Sequence, residues 1–227
     1  MQGMKRQYQQ LISEYLSYFP CVVLVGARQT GKSTLINSLA SGREIFDLEA
    51  RADYDQIARD PGLFLRINDG PIAIDEAQLM PALFPALRVA IDKDRQAYGK
   101  YLLSGSSSPE LLNSISESLA GRVGIIEIAP FSFSEIQQTD NPNMLSLFAP
   151  DNCFEDIAAS FKSLTSATSQ KDINRYWMQG GYPEPWIRNT DRFREIWREQ
   201  YFKTYIERDI ARLFPNLNAT RFRHFIE

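Results

Sequence analysis

The 227 residues fit one generous domain, or one domain with a small appendage, and 44% hydrophobic with 23% charged residues is the balance of a soluble globular chain. A net charge of −3 gives no electrostatic ground for nucleic acid or an anionic membrane as an obligate partner. His224 is the only histidine and Cys21 and Cys153 are the only cysteines, without a C-x-x-C pattern, which leaves too little for His/Cys zinc sites or for Ser-His and Cys-His nucleophilic dyads. That cysteine usage suits a reducing cytoplasm. No signal peptide opens the chain and no apolar run approaches membrane-spanning length, so the expectation is a cytoplasmic protein without membrane association.

In chain order, residues 5–19 place Tyr8, Leu11, Ile12, Tyr15, Leu16 and Phe19 at helical spacing, and Pro20 ends that helix. Residues 22–25 are a β-branched run of the kind buried in parallel sheets, and residues 34–40 read as the helix that follows. A second strand is expected at 44–48, then two helical pieces broken at Pro61-Gly62. The turn at Gly70-Pro71 leads into a third strand, 72–76, that ends in two carboxylates. Residues 81–97 are helical after their first turn, with Pro85 marking a kink or a start. Strands at 101–105 and 123–128 flank a helix capped from the Ser106-Ser107-Ser108-Pro109 cluster. Beyond Pro130 the chain turns loop-rich over 139–171, with room for one or two short helices. It breaks again at Gly180-Gly181-Tyr182-Pro183 and then forms a long helix, 191–214, whose apolar face is expected to be broad. That helix carries Arg192, Arg194, Arg198, Arg208 and Arg212, but Glu195, Glu199, Glu207 and Asp209 balance them, which favours a solvated face over a nucleic-acid surface. Pro215 stops the helix, and 219–227 reads as the beginning of another.

Strands alternating with helices predict an α/β fold with a five-stranded parallel sheet covered by helices on both faces, followed by a small helical lid. In such sheets ligands sit at the carboxyl ends of the strands. The motifs fall there. Gly26-Ala27-Arg28-Gln29-Thr30-Gly31-Lys32-Ser33, with Thr34 after it, matches G-x-x-x-x-G-K-[ST] between a strand and a helix, the P-loop context. Its glycines allow successive amides to face an anion, Lys32 reaches terminal phosphates, and Ser33 offers a hydroxyl to Mg²⁺. These residues, 26–34, are the expected nucleotide-binding set. Arg28 inside the loop either projects into solvent or pairs with a carboxylate.

Asp75-Glu76 at a strand end supplies a second Mg²⁺ position, Asp75, and a water-polarising base, Glu76. Ser104 and Ser106 either contact the terminal phosphate or attacking water, or serve as turn and capping hydroxyls. Arg122 either neutralises transition-state charge, in cis or across a subunit interface, or is an ordinary salt-bridging arginine. Gln78 is a nucleotide sensor or a plain helix-start residue. Lys32, Glu76, Ser104 and Arg122 are the expected catalytic set. The chain lacks the N-K-x-D and D-x-x-G of GTPases, its Leu103-Ser104-Gly105 follows the acidic strand where a transporter-type signature precedes it, and its length allows one helicase-like motor domain where two are needed.

Taken together, Gly26–Ser33 of the loop, Ile74-Asp75-Glu76-Ala77-Gln78, Leu103-Ser104-Gly105-Ser106-Ser107, Leu119-Ala120-Gly121-Arg122 and Gly180-Gly181-Tyr182-Pro183-Glu184 resemble the prokaryotic AAA-type ATP-binding proteins whose longer members carry an uncharacterised, nuclease-like C-terminal domain. The resemblance implies an ATPase core over 1–138, a loop-rich connector over 139–170, and over 171–227 a helical lid leading into a C-terminal region cut short. It implies ATP and Mg²⁺ as ligands, hydrolysis to ADP and phosphate, a lid arginine (Arg175 or Arg188) that senses ATP, and a homo-oligomer or protein partner. The alternatives are a nucleotide-dependent switch with little turnover and a DNA-associated ATPase fragment, the latter unsupported by the charge. The expectation at the C-terminus is a truncated, split or fragmentary gene product.

Overall fold

Residues 21–26 are apolar without a break, and they form β1 (Cys21–Gly26), a strand buried along its whole length. Its side chains alternate between two cores: Cys21, Val23 and Val25 enter one, Val22 and Leu24 the other. This computed structural model describes residues 4, 6–39, 41–139, 153–163, 168–205 and 218–226. The remaining strands, β2 (Glu44–Asp47), β3 (Ile72–Asp75), β4 (Tyr101–Ser106) and β5 (Val123–Glu127), join β1 in one sheet of order β2-β3-β4-β1-β5. Every pairing is parallel. The expected five-stranded parallel sheet is therefore the observed one. β4 lies between β1 and β3, so the three carboxyl ends that carry the motifs are neighbours.

Helices α1 (Tyr8–Tyr18) and α2 (Lys32–Ser38) cover one face, where Ile12, Leu35 and Ile36 pack against Val22, Leu24 and Leu102. The other face is covered by α3 (Arg51–Ala58), α4 (Pro61–Ile67), α5 (Leu83–Lys93) and α6 (Pro109–Leu119). Phe64 of α4 meets Phe46 of β2 edge-to-face at 4.8 Å, and Leu87 and Ile115 are buried with them. Burying side chains of this size is worth about 1.5–3 kcal/mol each. Pro61 and Pro109 are helix starts: Asp60 and Ser108 cap the amides of Leu63 and Leu111. The expected break at Pro61-Gly62 is thus the first turn of α4. Between β3 and α5, Ala77–Leu79 forms a single 3₁₀ turn.

After β5 come α7 (Phe133–Gln137), α8 (Phe154–Ser163), α9 (Gln170–Gln179), α10 (Pro183–Arg188), α11 (Asp191–Thr204) and α12 (Ala219–Ile226). Most of the connector expected at 139–170 lies outside the described residues, as do 206–214 of the expected long helix. Within its described part, α11 buries no side chain, so the expected core-facing stripe is corrected there. Trp197, Tyr201 and Tyr205 instead form a stacked row, with centroids 4.9 and 5.9 Å apart, that Tyr182 joins. The reason is packing order: α11 lies against α10 rather than on the sheet.

Candidate functional site

β1 ends tightly at Gly26, where a Cβ would stand 2.4 Å from the carbonyl oxygen of Ile128. The chain then turns back through Gln29 (φ 61°) and Gly31 (φ 92°), and the second of these needs the freedom of glycine. Thr30 is wholly buried, and its hydroxyl donates to the Ala27 carbonyl at 2.9 Å. Lys32 is buried too. Its ammonium donates to the carbonyls of Gly26 (3.1 Å) and Ala27 (2.9 Å). Burial lowers its pKa from the ordinary lysine value; the carboxylates of Glu76 and Asp75 pull it back up, and Arg28 pushes it down. Here is a desolvated cation resting on two loop carbonyls beside two carboxylates.

At the end of β3, Asp75 is buried, and its Oδ1 accepts from the Glu76 amide at 3.0 Å and from the Ser104 hydroxyl. Ser104 lies fully buried in β4. Its hydroxyl donates to the Asp75 carboxylate, and neither Ser104 nor Asp75 is among the residues that line the cavity over the loop. Glu76 adopts a left-handed backbone (φ 54°), and its carboxylate accepts from the Gln78 side-chain amide. Gln78 Oε1 in turn accepts from the Ser106 amide at 3.2 Å.

Above these groups lies a cavity of about 770 Å³. Arg28, Gln29, Gly31, Lys32, Ser33, Thr34 and Glu76 line its floor; Pro183, Arg188, Phe193 and Trp197 of α10 and α11 line its roof. Of the expected loop set, Gly26, Ala27 and Thr30 are not among the lining residues. A second, more apolar cavity of about 370 Å³ adjoins the first, sharing Gly31, Thr34, Pro183 and Ile187 and adding Met4, Leu35 and Phe131. Arg188 lines the larger cavity, pairs with Glu184 at 2.7 Å and lies over the Phe193 ring. Arg175 is elsewhere, over Trp186 and bonded to Asn189.

Arg122 is not brought to this site. It precedes β5, at the amino end of the sheet, so the length of that strand, roughly 16 Å, separates it from the loop side. Arg122 donates to both oxygens of Asp92 at 2.9 Å and to the Ala120 carbonyl at 3.0 Å, and the expected action in cis is corrected. Sequence reasoning missed Glu49, Phe193 and Trp197 as cavity-lining residues, because no local motif marks them. Pro183 was visible as part of a chain break and of the Gly180-Gly181-Tyr182-Pro183-Glu184 block, but not as a residue of the cavity.

The donor set suits a phosphate ligand: a buried ammonium, a left-handed glycine turn and a helix start facing an open cavity. Among the described residues no group of three His, Cys, Asp or Glu forms a metal cluster. Ser33, which lines the cavity, and Asp75, which does not, are hard oxygen donors too few for a self-contained metal cage, so a Mg²⁺ ion here would have to take its other ligands from phosphates and water. Among the described residues no helix is long and apolar enough to cross a membrane.

A five-stranded parallel sheet with this loop after β1 and an acidic pair after β3 defines a P-loop, nucleotide-binding ATPase-like fold. The chain belongs to the AAA domain family, whose model matches residues 18–137. A model for a domain of unknown function, DUF8612, matches residues 170–227. The uncharacterized protein Rv2008c of Mycobacterium tuberculosis H37Rv is 32% identical over 206 residues, which is 90% of this chain and 39% of that protein. The uncharacterized protein Mb2031c of Mycobacterium bovis AF2122/97 gives the same values. The chain thus spans 39% of the length of these curated relatives. Among solved structures, the Walker-type ATPase paby2304 of Pyrococcus abyssi superposes with a TM-score of 0.53 at 18% identity, over 92% of this chain and 75% of that one. That likeness concerns the fold.

Proposed function

We propose that the protein binds ATP and hydrolyses it to ADP and phosphate with Mg²⁺, residues 1–138 forming the ATPase core and residues 171–227 the lid. The observation that carries this is the convergence of Lys32, Ser33 and Glu76 on one cavity under α10 and α11. In this reading the loop over Gly26–Ser33 and Thr34 cradles the phosphates, and Lys32 leaves its two carbonyls to meet them. Ser33 and Asp75 hold the metal, which supplies charge neutralisation at the phosphates. Ser104 keeps Asp75 aimed, and Glu76 orients the attacking water. The smaller, apolar cavity takes the base, and Arg188 of the lid completes the charge around the phosphates.

Phosphate release with ATP and Mg²⁺, measured beside Glu76→Gln, tests it. Turnover lost in the variant with nucleotide binding kept supports the reading; tight binding without turnover in either protein overturns the hydrolase.

A second reading, a nucleotide-dependent switch with little basal turnover, is favoured by one contact. The Gln78 amide takes up one oxygen, Oε2, of the Glu76 carboxylate, and in this reading release of that bond is what turns Glu76 towards the attacking water. A homo-oligomer or protein partner is the class of effector this reading requires. Arg122 acts in catalysis only across such an interface, after leaving Asp92.

A further inference from the structure

Arg6 is one of the few buried charged residues in the described chain, with 7% of its side chain exposed. Its guanidinium reaches two stretches far from it in sequence, the phosphate loop and residues 129–135. Nε donates to Glu135 Oε1 of α7 at 3.0 Å, Nη2 to the Ala129 carbonyl at 2.7 Å, and Nη1 to the Thr30 carbonyl in the phosphate loop at 2.9 Å. The plane lies over the rings of Phe131 (4.8 Å) and Tyr8 (5.2 Å). Glu135 is equally committed: it also accepts from the Gln7 and Ser132 amides. Fixed on one side by a buried carboxylate, Arg6 presents a rigid donor to one loop carbonyl.

The Thr30 carbonyl and the Gly31 amide belong to one planar peptide unit, and no peptide bond in the described chain is cis. In a trans unit the carbonyl and the N–H point in opposite directions. Holding the Thr30 oxygen against Arg6 therefore aims the Gly31 N–H away from it. Glycine at φ 92° is the residue around which such a unit flips most easily.

The same clamp reaches the lid. The Phe131 amide donates to the Gly181 carbonyl at 2.7 Å, and the Tyr176 hydroxyl to the Phe131 carbonyl at 2.9 Å. A Cβ on Gly181 would come within 2.1 Å of that carbonyl oxygen, so the approach admits no side chain. Arg6 Nη1 and Pro183 Cγ lie 3.6 and 3.9 Å from where a Gly31 Cβ would stand.

We propose that Arg6 is a positioning residue of the phosphate loop: anchored by Glu135, it fixes the Thr30–Gly31 peptide so that the Gly31 amide faces the phosphate cavity, and it ties that orientation through residues 129–131 to the lid. The proposal rests on the nucleotide reading above for its functional consequence, but not for its geometry.

Arg6→Lys tests it, since lysine keeps a cation beside Glu135 and lacks the fork that spans three acceptors. The Gly31 amide resonance of the nucleotide-free, ¹⁵N-labelled chain and the affinity for a fluorescent ATP analogue are read together with the thermal midpoint. Expected are a displaced or doubled Gly31 resonance and about tenfold weaker binding at a midpoint within a few degrees of the parent. Glu135→Gln should move the same resonance by loosening the anchor, and it decides the matter if Arg6→Lys does not fold. An unmoved Gly31 resonance in a folded variant overturns the proposal. A parent chain that binds no analogue overturns the nucleotide reading instead, and the Gly31 resonance still decides the role of Arg6.

Discussion

Gln78 holds Glu76 while itself being held by β4: one end of its amide donates to the Glu76 carboxylate, and the other accepts from the Ser106 N–H at 3.2 Å. The carboxylate at the end of β3 is thereby linked to the carboxyl end of β4 through a side chain only two residues downstream. Removing the amide frees Glu76 without touching the loop. A hydrogen bond to a charged group is worth about 1.5–3 kcal/mol, so Gln78→Ala is expected to raise phosphate release about tenfold. If turnover instead falls to the level of Glu76→Gln, Gln78 holds the base in its productive pose and the switch reading loses its main support.

Ser104 donates to a buried carboxylate that has few other partners. Ser104→Ala should cost about 1.5–3 kcal/mol of stability by urea unfolding. It should also raise the Mg²⁺ concentration for half-maximal turnover by about tenfold, with metal-free nucleotide binding unchanged. Equal metal dependence in both proteins would separate Asp75 from the metal.

Gly26 stands where β1 passes the backbone of Ile128, whose amide donates to Val25 at 2.7 Å. Backbone meets backbone here, and neither side is a flexible chain end. Gly26→Ala is expected to destabilise the fold by about 1–3 kcal/mol, read as a lower urea midpoint. An unchanged midpoint would mean that β1 and β5 separate at no cost.

The pKa of Asp92 is depressed to about 2, first by the hydrogen bond from Arg122 and then by that from Arg95. With the folded value below the unfolded one, the unfolded chain takes up the proton first. The stability contributed by this carboxylate is therefore complete above about pH 4 and is lost as pH falls towards 2. Asp92→Asn should flatten that acid limb of stability against pH. Superimposable limbs would show that the pair with Arg122 does not couple folding to acid.

Much of the fold was legible in the chain because its signals are local. β1, β3 and β4 are short, largely apolar runs between turn residues, and Asp60-Pro61 and Ser108-Pro109 begin helices through contacts within three residues. The phosphate loop is legible for the same reason: a glycine that permits a left-handed turn, a lysine and a hydroxyl are covalently consecutive. Tertiary structure decided the rest, because it depends on which distant segments meet. The placing of β4 between β1 and β3 is what brings the Ser104 hydroxyl to Asp75, a pairing that no local pattern in the chain marks. The parallel register of β5 put Arg122 at the far edge of the sheet. Trp197 and Arg188 reach the cavity only because α10 and α11 fold over it. Arg6 and Glu135 are separated by most of the core sequence; Glu135 closes a local capping box with Ser132, but nothing in that motif marks Arg6 as its partner. A buried guanidinium needs its acceptors in three dimensions, and no spacing along the chain records them.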